Sequence, residues 1–170
     1  MTVGIRDAND SPADQRWIVE SYPLYVADLT RGGTGGQAAR PSAEVLGKEL
    51  VSNWFTELSS LVLVILRDGA RVGFARVQLE PLPGEQRQVS YLLTDFYVTV
   101  NARRRGLGRE AANLLFRRFT GAWQVSGSAQ DHAATAFWRS VISGHTGGRY
   151  TLRRLGGELR HSFFTGPVVT

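Results

Sequence analysis

Six residues constrain this chain more than any other stretch: Arg103-Arg104-Arg105-Gly106-Leu107-Gly108. A β-branched and aromatic run precedes them, ending at Val100, and a helical period follows from Leu107 to Phe119. A strand that turns through glycines into a helix makes an anion site. The first helical N–H groups have no partner, and the helix dipole places partial positive charge there. Gly106 and Gly108 let the backbone approach a phosphate closely. Arg103, Arg104, Arg105 and Arg109 add charge suited to phosphate oxygens. The pattern predicts a strand, loop and helix that cradle a pyrophosphate, with the helix joining two parallel strands.

Two common phosphate motifs do not fit. The dinucleotide fingerprint needs a third glycine, which would fall on Ala111, and an acidic residue about twenty positions on. The nucleotide-hydrolase loop needs Gly-Lys followed by Ser or Thr, which is absent here. A net charge of +5 raises nucleic acid as a ligand. However, only Lys48 of the 20 basic residues is a lysine, which reads as a general arginine bias. The arginines are scattered outside three short groups, and a small anion explains the largest of these. There is no cysteine, so disulfides, thiolate zinc ligands and thiol nucleophiles are excluded.

The remaining elements follow from periodicity and punctuation. Val3 to Arg6 reads as a short strand. Ser11-Pro12 starts a helix, with Ser as N-cap and Pro in the first turn, carrying Trp17, Ile18, Tyr22, Tyr25 and Val26 to about Asp28. Arg31 to Arg40 is Gly-rich and reads as a loop. Ser42 to Leu58 forms a second helix. Leu61 to Arg67 and Arg71 to Glu80 flank Asp68-Gly69-Ala70 as a hairpin that Pro81 to Gly84 ends. Gln88 to Val100 is a long strand. Ala122 to Ser126 is a short strand, Asp131 to Ile142 a helix capped by Asp131, and Arg149 to Arg154 with Glu158 to Thr165 a last strand pair. The expected fold is α/β (α+β). It has a mixed, mostly antiparallel sheet of six to seven strands, a splayed central parallel pair and about four helices on both faces.

Phe96-Tyr97-Val98-Thr99-Val100-Asn101-Ala102-Arg103-Arg104-Arg105-Gly106-Leu107-Gly108 resembles the signature of the GNAT acetyltransferase superfamily: an apolar strand, Arg/Gln-x-x-Gly-x-Gly/Ala, then a helix. Downstream, Trp123-Gln124-Val125 looks like the strand that splays away in that family. Asp131-x-x-Ala134-x-x-Phe137-Trp138 looks like its Asn-x-x-Ala-x-x-Phe/Leu-Tyr segment. The Phe-Trp-Arg-x-x-Ile stretch from Phe137 to Ile142 is similar to a subgroup of bacterial acetyltransferases assigned from sequence. The resemblance is strong from about Leu92 to Ile142 and topological before that.

The resemblance implies a single GNAT-like domain over 1–170, with an acceptor-side half 1–87 and an acetyl-CoA-binding half 88–170. It implies a strand bulge at Val98, Thr99 and Val100 that pairs with the pantetheine arm. The backbone from Arg104 through Arg105, Gly106, Leu107 and Gly108 to Arg109 would hold the pyrophosphate, with Arg103 opening the motif. Asp131 stands where an Asn usually meets the pantetheine. Trp138 stands where many members carry a Tyr that protonates the leaving thiolate, and an indole cannot serve as that acid.

Acetyl transfer also needs a base for the amine. Asp95, just before the expected bulge, is the candidate; a structural hydrogen bond is its alternative role. Strand alternation puts Asp95 and Tyr97 on one face, with Leu92, Thr94, Phe96 and Val98 on the other. Members with a base at the position of Leu92 have no counterpart here. His132 reads as a surface residue, and His145 and His161 lack partners at metal-ligand spacing, so no metal is expected. Trp17, Trp54, Tyr22 and Tyr25 read as core or acceptor-pocket wall. The Gly-rich loop would close over substrate. The expected activity is N-acetyl transfer from acetyl-CoA to an amine of a small molecule or protein, with a non-catalytic acyl-CoA sensor as the alternative. Acetyl-CoA and the amine are the expected partners, a homodimer is left open, and neither nucleic acid nor membrane is expected. With no signal-like start and no apolar run longer than Leu61 to Leu66, the expected compartment is the cytoplasm.

Overall fold

The computed structural model describes residues 1–32, 43–82 and 84–166. In chain order these form β1 (Val3–Asp7), α1 (Pro12–Gly32), α2 (Ala43–Trp54), β2 (Ser60–Arg67), β3 (Ala70–Leu82) and β4 (Glu85–Val98). A 3-10 turn (Val100–Ala102) leads to α3 (Leu107–Arg118), β5 (Gly121–Ser128), α4 (His132–Thr146), β6 (Tyr150–Leu155) and β7 (Glu158–Thr165). The seven strands make one sheet in the order β1-β2-β3-β4-β5-β7-β6. Every neighbouring pair is antiparallel except β4 and β5, which α3 joins as a parallel crossover. The expected mixed sheet, its parallel pair and its four helices are all present. Most of the Gly-rich stretch, from 33 on, lies outside the described residues.

Local chemistry explains the elements. Asp68 and Gly69 both take positive φ, 49° and 83°, the mirror-image turn that suits the twist of the β2–β3 hairpin. Asp68 also accepts the Thr2 N–H at 2.8 Å, which pins β1 alongside. α3 buries Leu107, Ala111, Ala112, Leu115 and Phe116, a stripe at helical spacing. Asp131 caps α4, its Oδ1 accepting the Ala134 N–H at 3.0 Å.

Several boundaries differ from expectation. α2 ends at Trp54, short of Leu58, and α4 continues past Ile142 to Thr146. α1 runs to Gly32, past Asp28, and keeps Pro23 within it at the loss of one intrahelical bond. β3 continues through Pro81 to Leu82, beyond the hairpin end expected at Pro81 to Gly84. β4 ends at Val98, and Val100 opens the 3-10 turn.

The core divides between the two faces. Trp123, Val125, Leu93 and Phe163 pack on Leu115 and Phe116 of α3 and on Val141 and Ile142 of α4. On the other face Ile18 and Tyr25 of α1 and Val51 and Trp54 of α2 pack on Val62, Phe74 and Tyr97. Buried Asp14 receives Arg6 at 2.8 and 2.9 Å and Arg71 at 2.7 Å, which fixes α1 against β1 and β3. No helix among the described residues is long and apolar enough to cross a membrane.

Candidate active site

The site begins where β4 and β5 part. Their parallel register runs from Ser90↔Ala122 to Leu93↔Val125 and stops. β5 then continues along β7 as far as Ser128, while β4 continues along β3 to Val98. From Thr94 onward, the β4 edge that faced β5 has no strand beside it.

A bulge sits at that point. On β3, Arg76 faces Asp95 and the next residue, Val77, faces Leu93, so Thr94 is the extra residue. Its Oγ1 donates to the Arg76 carbonyl at 3.2 Å. This corrects the expected position: the Val98 end of β4 pairs regularly with Gly73, and the Thr99 N–H is used by the Val72 carbonyl at 2.8 Å. The bulge also resets the alternation. Phe96 and Val98 pack toward α3, and Asp95 and Tyr97 face α1, as expected. But Leu93, not Leu92, shares the face of Phe96, because the extra residue inverts everything before it.

Two adjoining cavities open at this gap. One, of about 340 Å³, lies between the parted strands and is lined by Leu93, Asp95 and Phe96 on one side and Val125, Ser126 and Gly127 on the other, with Tyr25 and Trp138 also in its wall. The other, of about 840 Å³, runs between the Arg-Gly loop and α4, along Val98, Arg104, Gly106, Gly108, Ala133 and Phe137. Phe96, Asp131, Ala134 and Trp138 line both.

At the loop, Arg104 and Gly106 take positive φ, 69° and 75°. Gly106 is the N-cap of α3, with no side-chain cap, so the first helical amides are free to bind an anion. A Cβ at Gly106 would meet nothing within 4 Å, whereas one at Gly108 would lie 3.3 Å from Phe137, where α3 and α4 touch. Arg104 and Arg105 are exposed and make no ion pair among the described residues. Arg109 reaches over α4 to Ser140 Oγ at 2.6 Å. Arg103 turns away from the helix end: its guanidinium holds both oxygens of Asp28, and its Nε donates to the Val98 carbonyl.

Of the residues singled out by sequence, Val98, Arg103, Arg104, Gly106, Gly108, Arg109, Asp131 and Trp138 line the second cavity, and Asp95, Asp131 and Trp138 line the first. Thr99, Val100 and Arg105 line neither, and Leu107 is buried beneath the loop with Val98 and Ala111. Trp138 stands edge-on to Phe96 and Phe137, with centroids 5.0 and 4.9 Å away.

Asp95 is largely buried. Its Oδ1 accepts the Tyr25 hydroxyl at 3.1 Å, and Arg76 lies 4.0 Å from Oδ2. Burial raises its carboxyl above the usual range, against the lowering pull of the Tyr25 hydrogen bond and of the Arg76 charge. Arg76 is itself fixed by Glu57 at 2.7 Å, Ser60 at 3.1 Å and the Trp54 ring beneath it. Tyr25 is held well above the ordinary phenol range, first by burial and then by the Asp95 charge. Sequence periodicity places Tyr25 in core or wall. Its contact with Asp95, like that of Asp28 with Arg103, depends on partners 70 and 75 residues away.

The histidines lie elsewhere. His132 is exposed at the start of α4, His145 meets Asn113 at 3.1 Å, and His161 is buried beside Tyr150. No group of three metal-ligand side chains occurs among the described residues.

The sequence matches the family model described as the acetyltransferase (GNAT) family over residues 26–141. No curated protein matches it. Among solved structures, the PaiA N-acetyltransferase of Thermoplasma acidophilum in complex with coenzyme A is similar over 96% of this chain and 99% of its own, at 14% identity and a TM-score of 0.66. An acetyltransferase of Thermus thermophilus is similar over 96% and 97%, at 12% identity and 0.67. NAA60 of Arabidopsis thaliana, in complex with a bisubstrate analogue, is similar over 96% and 98%, at 10% identity and 0.63. At these identities the likeness is one of fold.

Proposed function

The chain belongs to the acetyltransferase (GNAT) family, and from that membership we propose that the two adjoining cavities bind acetyl-CoA and that Asp95 accepts the amine proton. The observation that carries this is the parting of β4 from β5 between an anion cradle at one end and a buried carboxylate at the other. Bound there, acetyl-CoA supplies the activated acetyl group.

The residues present fit such a ligand. The uncapped amides at Gly106 to Arg109, with the Arg104 side chain, suit a pyrophosphate. The walls from Val98 and Phe96 to Phe137 and Trp138 are apolar and suit a flexible arm with few charges. The vacated edge of β4 offers backbone groups to an amide-containing chain. Among the described residues, Arg103 neutralises the one carboxylate of α1 lining the second cavity, Asp28. In this reading β4, α3, β5 and α4 form the donor half, and α1, α2, β2 and β3 the acceptor half.

Catalysis then rests on placement and proton handling. Holding amine and thioester together in the gap removes most of the entropic barrier. Phe96 and Trp138 keep water from the reacting carbon. Asp95 faces the α1 side, from which an amine would enter, and its raised carboxyl is a stronger base than a solvated one.

Calorimetry with acetyl-CoA tests the binding half of this reading, and thiol release across a panel of small amines and peptide amino termini tests the transfer half. Micromolar-range binding that Gly106→Trp abolishes is expected, since the indole would enter the space above the loop. Absence of binding to the native protein would overturn it.

A further inference from the structure

Moving an acetyl group from a thioester to an amine also moves a proton. The C–N bond forms, the C–S bond breaks, the nitrogen ends one proton poorer and the sulfur must end one richer. Asp95 accounts for the nitrogen only. The ring of α4 nearest the gap, Trp138, has an indole N–H that does not ionise near neutral pH.

The Tyr25 hydroxyl lines the same gap and touches Asp95. It donates to Asp95 Oδ1 at 3.1 Å, and the backbone N–H of Phe96, on the bulged stretch of β4, interacts with the same phenol oxygen. The ring is held edge-on to Phe74 and tilted against Tyr97, at 5.3 and 5.6 Å, so the hydroxyl has little freedom to leave. Tyr25 is only 6% exposed, yet it lines the cavity between the parted strands. It is the only phenol among the described residues lining either cavity. The alcohols there are far weaker acids, and two are engaged: Thr94 with the Arg76 carbonyl and Ser126 with Glu158.

We propose that Tyr25 is a catalytic residue that passes a proton between Asp95 and the departing sulfur. The amine N–H breaks as the Asp95 carboxylate gains the proton. Once Asp95 is protonated the 3.1 Å contact reverses its direction: the Tyr25 O–H breaks as S–H forms while Asp95 returns its proton to the phenol oxygen. Both side chains end as they began, and the balance is one proton from amine to thiol. Burial disfavours a phenolate, so the phenol gives up its proton only as Asp95 returns one to it in the same step. The relay rests on the acetyltransferase reading of this site, but Tyr25 comes from α1, on the acceptor side of the sheet.

The test uses coenzyme A itself, so no acceptor need be known. The thiol of bound coenzyme A is titrated by its ultraviolet thiolate absorbance in the native protein and in Tyr25→Phe, which keeps the ring and its packing. Expected are a Kd for coenzyme A within about threefold of native, an unchanged thermal midpoint, and a bound thiol pKa raised by about one unit through loss of the hydrogen bond to sulfur. Fluorotyrosine at position 25, a more acidic phenol in the same contacts, shifts the titration the opposite way and serves if Tyr25→Phe does not fold. Bound coenzyme A with the same thiol titration in all forms overturns the relay and leaves the acetyltransferase reading standing. A native protein that does not bind coenzyme A overturns both.

Discussion

Arg103 and Asp28 meet in a two-point ion pair, Nη1 to Oδ1 at 3.0 Å and Nη2 to Oδ2 at 2.7 Å, that ties the last turns of α1 to the loop before α3. The Nε of the same arginine donates to the Val98 carbonyl at 2.8 Å, so one side chain sets the spacing of three elements. Both partners are about one-third exposed, so Arg103→Ala should cost only about 1 kcal/mol of stability. Its effect on ligand should be larger, because it leaves an uncompensated carboxylate beside the anion cradle. Coenzyme A affinity is expected to fall about tenfold, with most of it recovered in the double variant with Asp28→Ala. Calorimetry on the four forms checks this; additive losses would show that Arg103 does not act by masking Asp28.

Asp95→Asn should separate activity from stability. The amide cannot accept the amine proton, so turnover is expected to fall by about a hundredfold or more while acetyl-CoA binding persists. The folded carboxyl titrates above its usual range, so the native state holds that proton more tightly than the unfolded chain does. Its stabilising contribution is present at acid pH, below the unfolded value, and is lost as pH rises through the raised one. At neutral pH the neutral asparagine should therefore melt no lower than native. In native protein kcat/KM should decline as pH falls through a value above that of a solvated carboxylate. Full activity in Asp95→Asn would remove Asp95 as the base.

Asp14 shows the opposite sign. The two Arg6 hydrogen bonds, then the one from Arg71, lower its carboxyl to about 2 against the cost of burial. Its contribution is complete above the usual carboxylate value and is lost as pH falls from there through about 2. The two arginines remain partly in water, so the loss in Asp14→Asn is expected to be about 2 kcal/mol at neutral pH. Urea midpoints at about pH 7 and about pH 3 should differ less in the variant than in the native protein. Equal pH sensitivity would place the acid-labile group elsewhere.

Gly73 tests the end of β4. A Cβ there would lie 2.2 Å from the Tyr97 carbonyl oxygen, a backbone atom in the paired strand. Gly73→Ala should force β3 and β4 apart below the bulge and cost about 3 kcal/mol or more. Gly69→Ala provides the comparison: φ is +83°, but the space is open, so about 1 kcal/mol of backbone strain is expected. Denaturant midpoints of the two variants give the ranking, and a milder effect at Gly73 would contradict the close approach.

Most of the fold was legible because its elements are locally encoded. The Asp68-Gly69 turn, the stripe of α3 and the Asp131 cap each depend on residues within a few positions. The order of strand, helix and strand around the Arg-Gly run implied the parallel pair, and the loop's uncapped glycine start is where that run indicated. What was not legible depends on distance in sequence. No residue type marks the extra residue at Thr94, since a bulge is an offset between two strands and needs both registers to be seen. The inversion of Leu92 and Leu93 follows from that offset. Arg103 reads as a phosphate ligand because its neighbours are arginines and glycines, while its actual partner sits on α1. Tyr25 reads as wall because a helical stripe shows which residues are inward and not which hydroxyl meets a carboxylate.

The parallel join between β4 and β5 is four residue pairs long, and it is the only backbone ladder that links β1–β4 to β5–β7 in the described sheet. Chain order respects the same division, since the first four strands finish at Val98 and the last three begin at Gly121. A break in the loop after Val98 would thus give two fragments, each with its antiparallel ladders intact and one strand edge left to match. Asp95 and Tyr25 would lie on the first fragment, and the Arg-Gly loop and Trp138 on the second. The gap that unites them would exist only after reassembly, making ligand binding a reporter of fragment complementation.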